Sequence, residues 1–593
     1  MRPLITALAI GLFMALSGPA QADGIWDGGD GSDNLWSTAI NWNGNAVPTT
    51  GQNIVLDSAN DRGGFIPDDT CDYDSSATAG PYTGTFRITG MTFSASRSGG
   101  FSSTGNATWS GSWTMGGSEV ISLGGTSVTS TMTLSQNNTT TDLDVNSLLI
   151  DADTPGAARS FTKAGAGTLD VNGPLTIKGD LSADHDATLV LSAGSITPDS
   201  MVLQGSTNSS YGYAILDLDQ DLTVGNASDS VSVAGYAEID VANPGTAKVF
   251  EAKDMDVGDG QLTTFCEKRT GTGELDATGL TITAGNDANE EATFKLSAGT
   301  LDVNGTITVD SGTASGTHAK LWHSVGTATP DSMVLDGYDT NARAKLDLDQ
   351  TFTVDSGGTH AKPDTTMRRW VDVDVYAGMT GDMKDLRYEA TGTLTVTGSG
   401  TFRTDEFRVE DASADAAITV TKAGSSGVTI DNDLIIQAAD SAGEHAKLLI
   451  SAGSMTVDAS ADTKINAATS VNADAMLEFD SGTFDPSDLY LYGGNSDLAN
   501  YGEALVDYNG GTLVNPDSVT IQGYSKFNAE AGITVDGALT VDAGTYATEA
   551  EIDMAASTTF AAASVVIGDA SHACTLTFSG AGSGETVSSL VTN

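Results

Sequence analysis

The octapeptide AGTLDVNG stands at residues 166–173 and again at 298–305, and PDSMVL stands at 198–203 and again at 330–335. The offset is the same for both pairs, 298 − 166 = 132 and 330 − 198 = 132. Two matches at one offset mean that the whole stretch between them is duplicated, so the chain must fold as a repeat. The same stretch carries LDLDQ at 216–220 and 346–350, and a third, weaker copy begins at TKAG (421–424), against TKAG at 162–165. A shorter theme recurs around Pro198, Pro330, Pro486 and Pro516. Pro486 and Pro516 lie far closer together than the long copies do, so the elementary unit is much smaller than the duplicated stretch.

That unit reads as short strands. In TLDVNGPLTI (168–177), Leu169 and Val171 point to one face, Gly173 and Pro174 turn the chain, and Leu175 and Ile177 restore the apolar face. Strands this short bury no core alone, but stacked rung on rung each covers the apolar face of the next. The recurring Gly, Asn, Asp and Ser steps form the corners. Within PDSMVL, Pro198 is expected to set a turn ahead of a buried strand in which Met201 and Leu203 alternate with Val202. The expected fold is all-β, a parallel β-helix or β-solenoid of short-strand repeats with a Trp-rich N-terminal cap. Rungs of about 20–30 residues would stack at ~4.8 Å. A string of β-sandwiches is the rival, but such domains place a large aromatic in each core, and no Trp occurs between Trp113 and Trp322. With 69 Gly and only 6% aromatics, a narrow interior of small and β-branched side chains fits better.

The N-terminus carries a second message. Met1 and Arg2 precede the apolar run LITALAIGLFMAL (4–16), followed by Pro19 and the small-x-small tripeptide AQA (20–22), the pattern of an export signal cleaved after Ala22. The run is shorter than the ~20 residues that span a bilayer. No later stretch is apolar enough to span one. The chain thus divides into a signal peptide (1–22), a Trp-rich cap (23–60), first rungs (61–160), repeat units at 161–291 and 292–415, and divergent repeats over 416–593. The expected location is extracellular, cell-surface or periplasmic.

Just after the signal comes WDGGDGSDNLWSTAINWNGNAVPTTGQNIVLD (26–57). Its Trp26, Gly28, Gly29, Trp36, Asn41, Trp42 and Pro48 resemble the opening of bacterial secreted β-repeat proteins of the autotransporter-associated β-strand repeat type. These are large exported chains that often end in a dockerin or a PEP-CTERM sorting tail. The resemblance covers about 35 residues and implies a surface β-solenoid whose opening segment caps the first rung. The last residues, TLTFSGAGSGETVSSLVTN (575–593), carry neither tail. Three Trp within 26–42 also suit a plug over an open strand edge.

Against 26 Lys and Arg stand 78 Asp and Glu, a formal net charge of −52, which disfavours nucleic acid, anionic lipid and acidic polymers as partners. Surface glycans or other matrix proteins are the expected partners. Divalent cations are the other, and Ca²⁺ is the cofactor the acidic pattern suggests. GGDGSDNLW (28–36) fits one calcium-binding nonapeptide, with Asp30 and Asp33 as oxygen donors, although that motif works in tandem and here stands single. LDLDQD (216–221) sets Asp217, Asp219 and Asp221 on one strand face, and Asp347 and Asp349 repeat the arrangement, as do Asp372 and Asp374 in WVDVDVY. A solvated polar stripe explains these rows, and so does a stacked carboxylate site for Ca²⁺.

Trp109 and Trp113, four apart in a strand, are candidates for stacking on a sugar or on a neighbouring rung. His185, His318 and His445 fall at equivalent places of the three copies and read as turn residues, with His360 in a further HAK. Cys71, Cys266 and Cys574 are too few and scattered for a disulfide framework or a zinc site, and read as buried small residues. No catalytic constellation emerges. The function expected is that of a secreted bacterial surface or matrix scaffold or adhesin. The alternative is a polysaccharide-degrading lyase or hydrolase, or a glycan-binding module, for which RRW (368–370) is a local basic exception.

Overall fold

A computed structural model describes the chain over residues 24–592, apart from 28–34, 50–51, 58–69, 74–76, 78–81, 83–85, 90–91, 96–100, 104–106, 116–120, 137–141, 153–156, 182, 226–229, 243–247, 259–262, 355–364, 390–391, 411–415, 423–426, 439–444, 469–471, 495–501, 543–547, 556–557, 569–573, 581–583 and 588–589. The described regular structure is strand, save for one 3-10 turn at Ala39–Asn41. It forms two compact units. The first comprises Met1–Lys253 with Thr270–Leu275, the second Asp254–Arg269 with Asp276–Asn593. Each is a parallel β-solenoid, as the repeats predict. The expected signal segment, 1–22, lies outside the described residues. Among the described residues no helix is long and apolar enough to cross a membrane.

In the first unit, Ala187–Leu191 pairs in parallel with Ala214–Leu218, and that strand with Tyr236–Val241. Period-two alternation turns Leu189, Leu216 and Ile239 inward as one register row, and Leu191, Leu218 and Val241 as the next, all with no exposed surface. Each such side chain contributes roughly 1.5–3 kcal/mol through burial.

A rung of the second unit runs through Glu291–Leu296, a turn at 297–299, the long strand Thr300–Asp310, a loop over 311–317, and then His318–His323 beside the starting strand. The long strand is bent by a register shift between Val303 and Thr306. Farther along, the segment after the turn forms a separate seven-stranded sheet, from Phe352–Thr353 to Thr512–Leu513. Rung length varies: a short rung carries the chain from Val519 to its register partner Leu539, and a long one from Met333 to Thr365. The duplicated stretch therefore holds several rungs.

PDSMVL differs from the expectation in one respect. Pro198 and Pro330 sit inside continuous strands, Ser195–Gln204 and Thr327–Asp336, rather than at a turn. Each lies where the neighbouring strand shifts register, and a proline is tolerated in a parallel ladder at such an irregularity because no ladder donor is needed there. Met201 and Leu203, like Met333 and Leu335, are buried as the alternation requires.

Two kinds of corner keep the rungs close. Gly453, Gly482 and Gly511 stack one rung apart with φ of 83°, 93° and 86°. A Cβ on Gly482 would overlap the Gly453 carbonyl oxygen, and one on Gly511 would lie 2.6 Å from that of Gly482. The other corner sets a glycine against the carbonyl of an aromatic one rung on, Gly337 against Trp370 and Gly493 against Tyr524. The residue before each aromatic is left-handed, Gly523 in one case and Arg369 (φ 60°) in the other. Arg369 is held there by Asp336, at 2.6 Å from Nη2 to Oδ1.

At the first corner the interior admits polar side chains whose tips reach turn carbonyls. Tyr508 donates its hydroxyl to Gly511 (3.0 Å), His323 Nε2 meets the Gly326 carbonyl (3.1 Å), and Lys163 Nζ donates to the carbonyls of Gly165 (3.0 Å), Ala193 (3.2 Å) and Ala164 (3.3 Å).

Of the expected N-terminal cap, Trp26, Trp36 and Trp42 are fully buried and form an aromatic cluster. Trp42 meets Trp26 edge-on at 5.2 Å and Trp36 at 4.6 Å, and donates its indole N–H to the Trp36 carbonyl at 2.8 Å. Tyr73 and Tyr82, beyond the expected 23–60 boundary, complete the cluster against Trp36. It lies beside the strand Gly24–Ile25, which pairs with Ile54–Asp57. Cys71 and Cys266 are buried thiols, and burial pushes the Cys266 thiol up. The Cys574 side chain lies outside the described residues.

Candidate functional site

Strands Thr264–Lys268, Glu291–Leu296, His318–His323, Arg343–Leu348 and Val371–Val375 stack in parallel in the second unit, and their outward positions make a chemically dense face. In HAKLWH, Ala319, Leu321 and His323 are buried, so Lys320 and Trp322 must face out. Register then assembles the row Glu267, Lys295, Trp322, Asp347, Asp374, with Thr293, Lys320, Lys345 and Asp372 alongside.

Trp322 is the centre of this face. Its indole N–H donates to Asp349 Oδ2 at 2.8 Å, and the ammonium groups of Lys295 and Lys320 each lie 4.5 Å from its ring centroid. Lys295 is ion-paired to Glu267 at 2.9 Å, and Lys320 to Asp347. Arg343 pairs with Asp372 at 2.6 Å, and its backbone N–H donates to His318 Nδ1 at 3.3 Å. Burial lowers the His318 pKa, assisted by Lys345 and opposed by Glu291 and Asp372. Half-exposed ion pairs contribute ~0–1 kcal/mol each, and a cation over an indole ~0.5–1 kcal/mol. Several sharing one indole fix its orientation, so the face is a rigid clamp across rungs.

Of the residues singled out from sequence, Asp347 and Asp349 belong to this cluster and are engaged by Lys320 and Trp322. Asp217 stands in the first unit, in register with Val190 on one side and Asp240 on the other. The Asp219 N–H donates to the Leu191 carbonyl, and Asp221 accepts from the Val249 N–H at 3.1 Å, which fastens one rung's turn to the next. Asp30 and Asp33 lie outside the described residues. Trp109 stands in register with Ile88 and Val128, and Trp113 with Leu134, all of them buried positions, across a register shift between residues 109 and 111. Their side chains lie outside the described residues. Among the described residues no three His, Cys, Asp or Glu side chains gather as a metal-ligand set.

Each of the four described histidines engages a structural partner through one ring nitrogen. His185 Nδ1 meets Asp180 at 2.9 Å and His445 Nδ1 meets Asp474 at 3.2 Å, while His318 and His323 serve backbone groups. None of these partners is a hydroxyl or thiol that a histidine could activate as a nucleophile. His360 lies outside the described residues. Trp322, Lys295 and Lys320 were not singled out from the sequence, although the period-two pattern of HAKLWH already places the tryptophan outside.

The class the fold defines is the parallel β-solenoid repeat protein. Comparison with protein-family models, curated proteins and solved structures finds no match for the chain.

Proposed function

We propose that the protein is an exported surface or extracellular-matrix solenoid of the autotransporter-associated β-repeat kind, serving as an acidic scaffold or adhesin. The observation that carries this reading is how the outward side chains are used. Arg343 with Asp372, Lys295 with Glu267, Arg387 with Glu410 and Lys447 with Glu478 each join neighbouring rungs, so the polar surface binds the solenoid to itself. The buried Trp26–Trp36–Trp42 cluster supports a capping role for the first rungs, and the N-terminal pattern supports export. Calcium enters this reading as a counter-ion to the acidic rows, such as Asp217 beside Asp240.

Expression of the full-length gene in a bacterial host tests export: mass spectrometry of the secreted or periplasmic protein should find a first residue of Asp23. Retention of the whole chain in the cytoplasm with Met1 intact would refute it. Chain cleavage in a reducing-end assay on acidic and neutral glycans would replace the scaffold reading with the polysaccharide-degrading one.

A further inference from the structure

The other outward face of the second unit carries an aromatic platform at Asp488–Tyr492. Along it, strands Asp385–Glu389, Glu406–Glu410, Leu434–Gln437, Asp462–Asn466, Asp488–Tyr492 and Ser518–Gln522 stack in register. One outward row runs Arg387, Arg408, Ile435, Lys464, Tyr490, Thr520, and its neighbour Glu389, Glu410, Gln437, Asn466, Tyr492, Gln522.

Toward its start this surface is closed on itself. Arg387 bridges Glu389 (3.0 Å) and Glu410 (2.9 Å), and Ile435, flanked in register by Arg408 and Lys464, is only 6% exposed. Lys464 is held by Asp433 (2.8 Å) and Asp462 (3.0 Å), and Gln522 by Asp542 (2.9 Å). Between them the pattern changes. Tyr490 and Tyr492 lie with ring planes 12° apart and centroids 5.9 Å apart, and both are half-exposed. Their hydroxyls, the Asn466 amide and the Thr520 hydroxyl make no side-chain hydrogen bond to a described residue. Burial and the carboxylates of Asp462 and Asp488 push the Tyr490 hydroxyl up, so it stays a neutral donor.

We propose that this platform binds a neutral polysaccharide, whose sugar rings lie against Tyr490 and Tyr492 while their hydroxyls bond Asn466 and Thr520. Sugar C–H faces match the electron-rich faces of aromatic rings. Hydroxyls that donate and accept match an amide and hydroxyls that do both. Charge selects the class: Asp433 and Asp462 hold Lys464, and Asp488 adds a carboxylate acting on Tyr490, on a chain of net charge −52, so an anionic polymer is repelled. The proposal deepens the adhesin side of the reading above by naming a ligand class. Its test uses purified protein, so failure of binding and failure of export are separate results.

The probes are β-1,4-linked hexaoses of glucose, mannose and xylose, with polygalacturonate as the anionic control, measured by isothermal titration calorimetry. At least one neutral hexaose should bind. The double variant Tyr490→Ala/Tyr492→Ala should weaken it by about tenfold or more, the scale of two lost aromatic contacts. Tyr376→Ala, which removes a tyrosine 64% exposed elsewhere on the unit, should leave binding unchanged, and circular dichroism should match across the three proteins. No binding of any neutral hexaose, equal loss in Tyr376→Ala, or preference for polygalacturonate would overturn the proposal. If the double variant misfolds, Asn466→Ala with Thr520→Val serves instead, and unchanged affinity there overturns it too.

Discussion

Lys163 offers a measurement of what a charge costs inside this solenoid. The side chain has no exposed surface, and no carboxylate among the described residues is its partner; three backbone carbonyls at 3.0–3.3 Å receive its protons. Burial lowers its pKa from 10.5 to about 8. At ~1.36 kcal/mol per pH unit, that depression corresponds to ~3.4 kcal/mol disfavouring the ammonium at neutral pH. The figure is an upper one, because a rung corner surrounds the group less completely than a rung centre. Replacing Lys163 with Met removes the penalty but also three hydrogen bonds worth ~1 kcal/mol each. At pH 7 the two proteins should therefore differ by no more than about 1 kcal/mol.

The pH dependence separates the terms. A base whose folded pKa is depressed loses its proton in the folded state first, so the unfolded state binds more protons between about 8 and 10.5, and stability rises with pH through that window. The Met variant has nothing to titrate at this position. Hydrogen exchange in peptides covering 159–194, compared at each pH so that chemical exchange rates cancel, reads the local opening energy. From pH 8 to 9.5 the wild type should gain ~1.6 kcal/mol relative to Lys163→Met, about a fifteenfold change in exchange-rate ratio. A flat difference would mean that the carbonyls fully replace water around the ammonium. A falling difference would mean that they hold it better than water does, and either result refutes the reasoning.

Three further outcomes are expected. Gly482→Ala should lower the melting midpoint well beyond Gly378→Ala: both glycines are left-handed (φ 93° and 81°), which costs ~1–2 kcal/mol for alanine, but only Gly482 faces a carbonyl one rung away while Gly378 faces open space. Equal midpoints would deny the close packing of that corner. His323 is buried with a pKa lowered by burial, so the unfolded chain takes up its proton first as pH falls below the usual 6.5, and stability drops there. His323→Leu, which matches its register neighbours Leu296 and Leu348, should reduce the loss in melting midpoint between pH 7.5 and 5, and an unchanged loss would assign it to other groups. Finally, millimolar Ca²⁺ should raise the melting midpoint above NaCl or Mg²⁺ matched for ionic strength, and Asp217→Asn with Asp240→Asn should shrink that increment. Equal shifts in the three salts would leave the acidic rows as a solvated coat.

How far the sequence could be read follows from the distance over which each feature is decided. Which side chains face inward is decided between one residue and the next but one, and alternation alone places Leu189, Leu216 and Leu321 in the core and Lys320 and Trp322 outside it. Which outward side chains meet is decided a whole rung away, and rung length is not constant, as the short step from Val519 to Leu539 and the long one from Met333 to Thr365 show. The two LDLDQ copies show the consequence. Asp217 has Val190 as its neighbour on the preceding rung, whereas Asp347 has Trp322, because the preceding strands read ATLVL in one copy and HAKLWH in the other. One motif thus lies in a plain acidic row in the first unit and in an aromatic clamp in the second. The tyrosine platform is hidden for the same reason. Tyr490 and Tyr492 announce themselves as an outward pair by alternation, but Asn466 and Thr520 join them only through register, one from the rung before and one from the rung after. The chemistry of a solenoid surface is therefore written in which strands its rungs bring side by side as much as in the residues of any one strand.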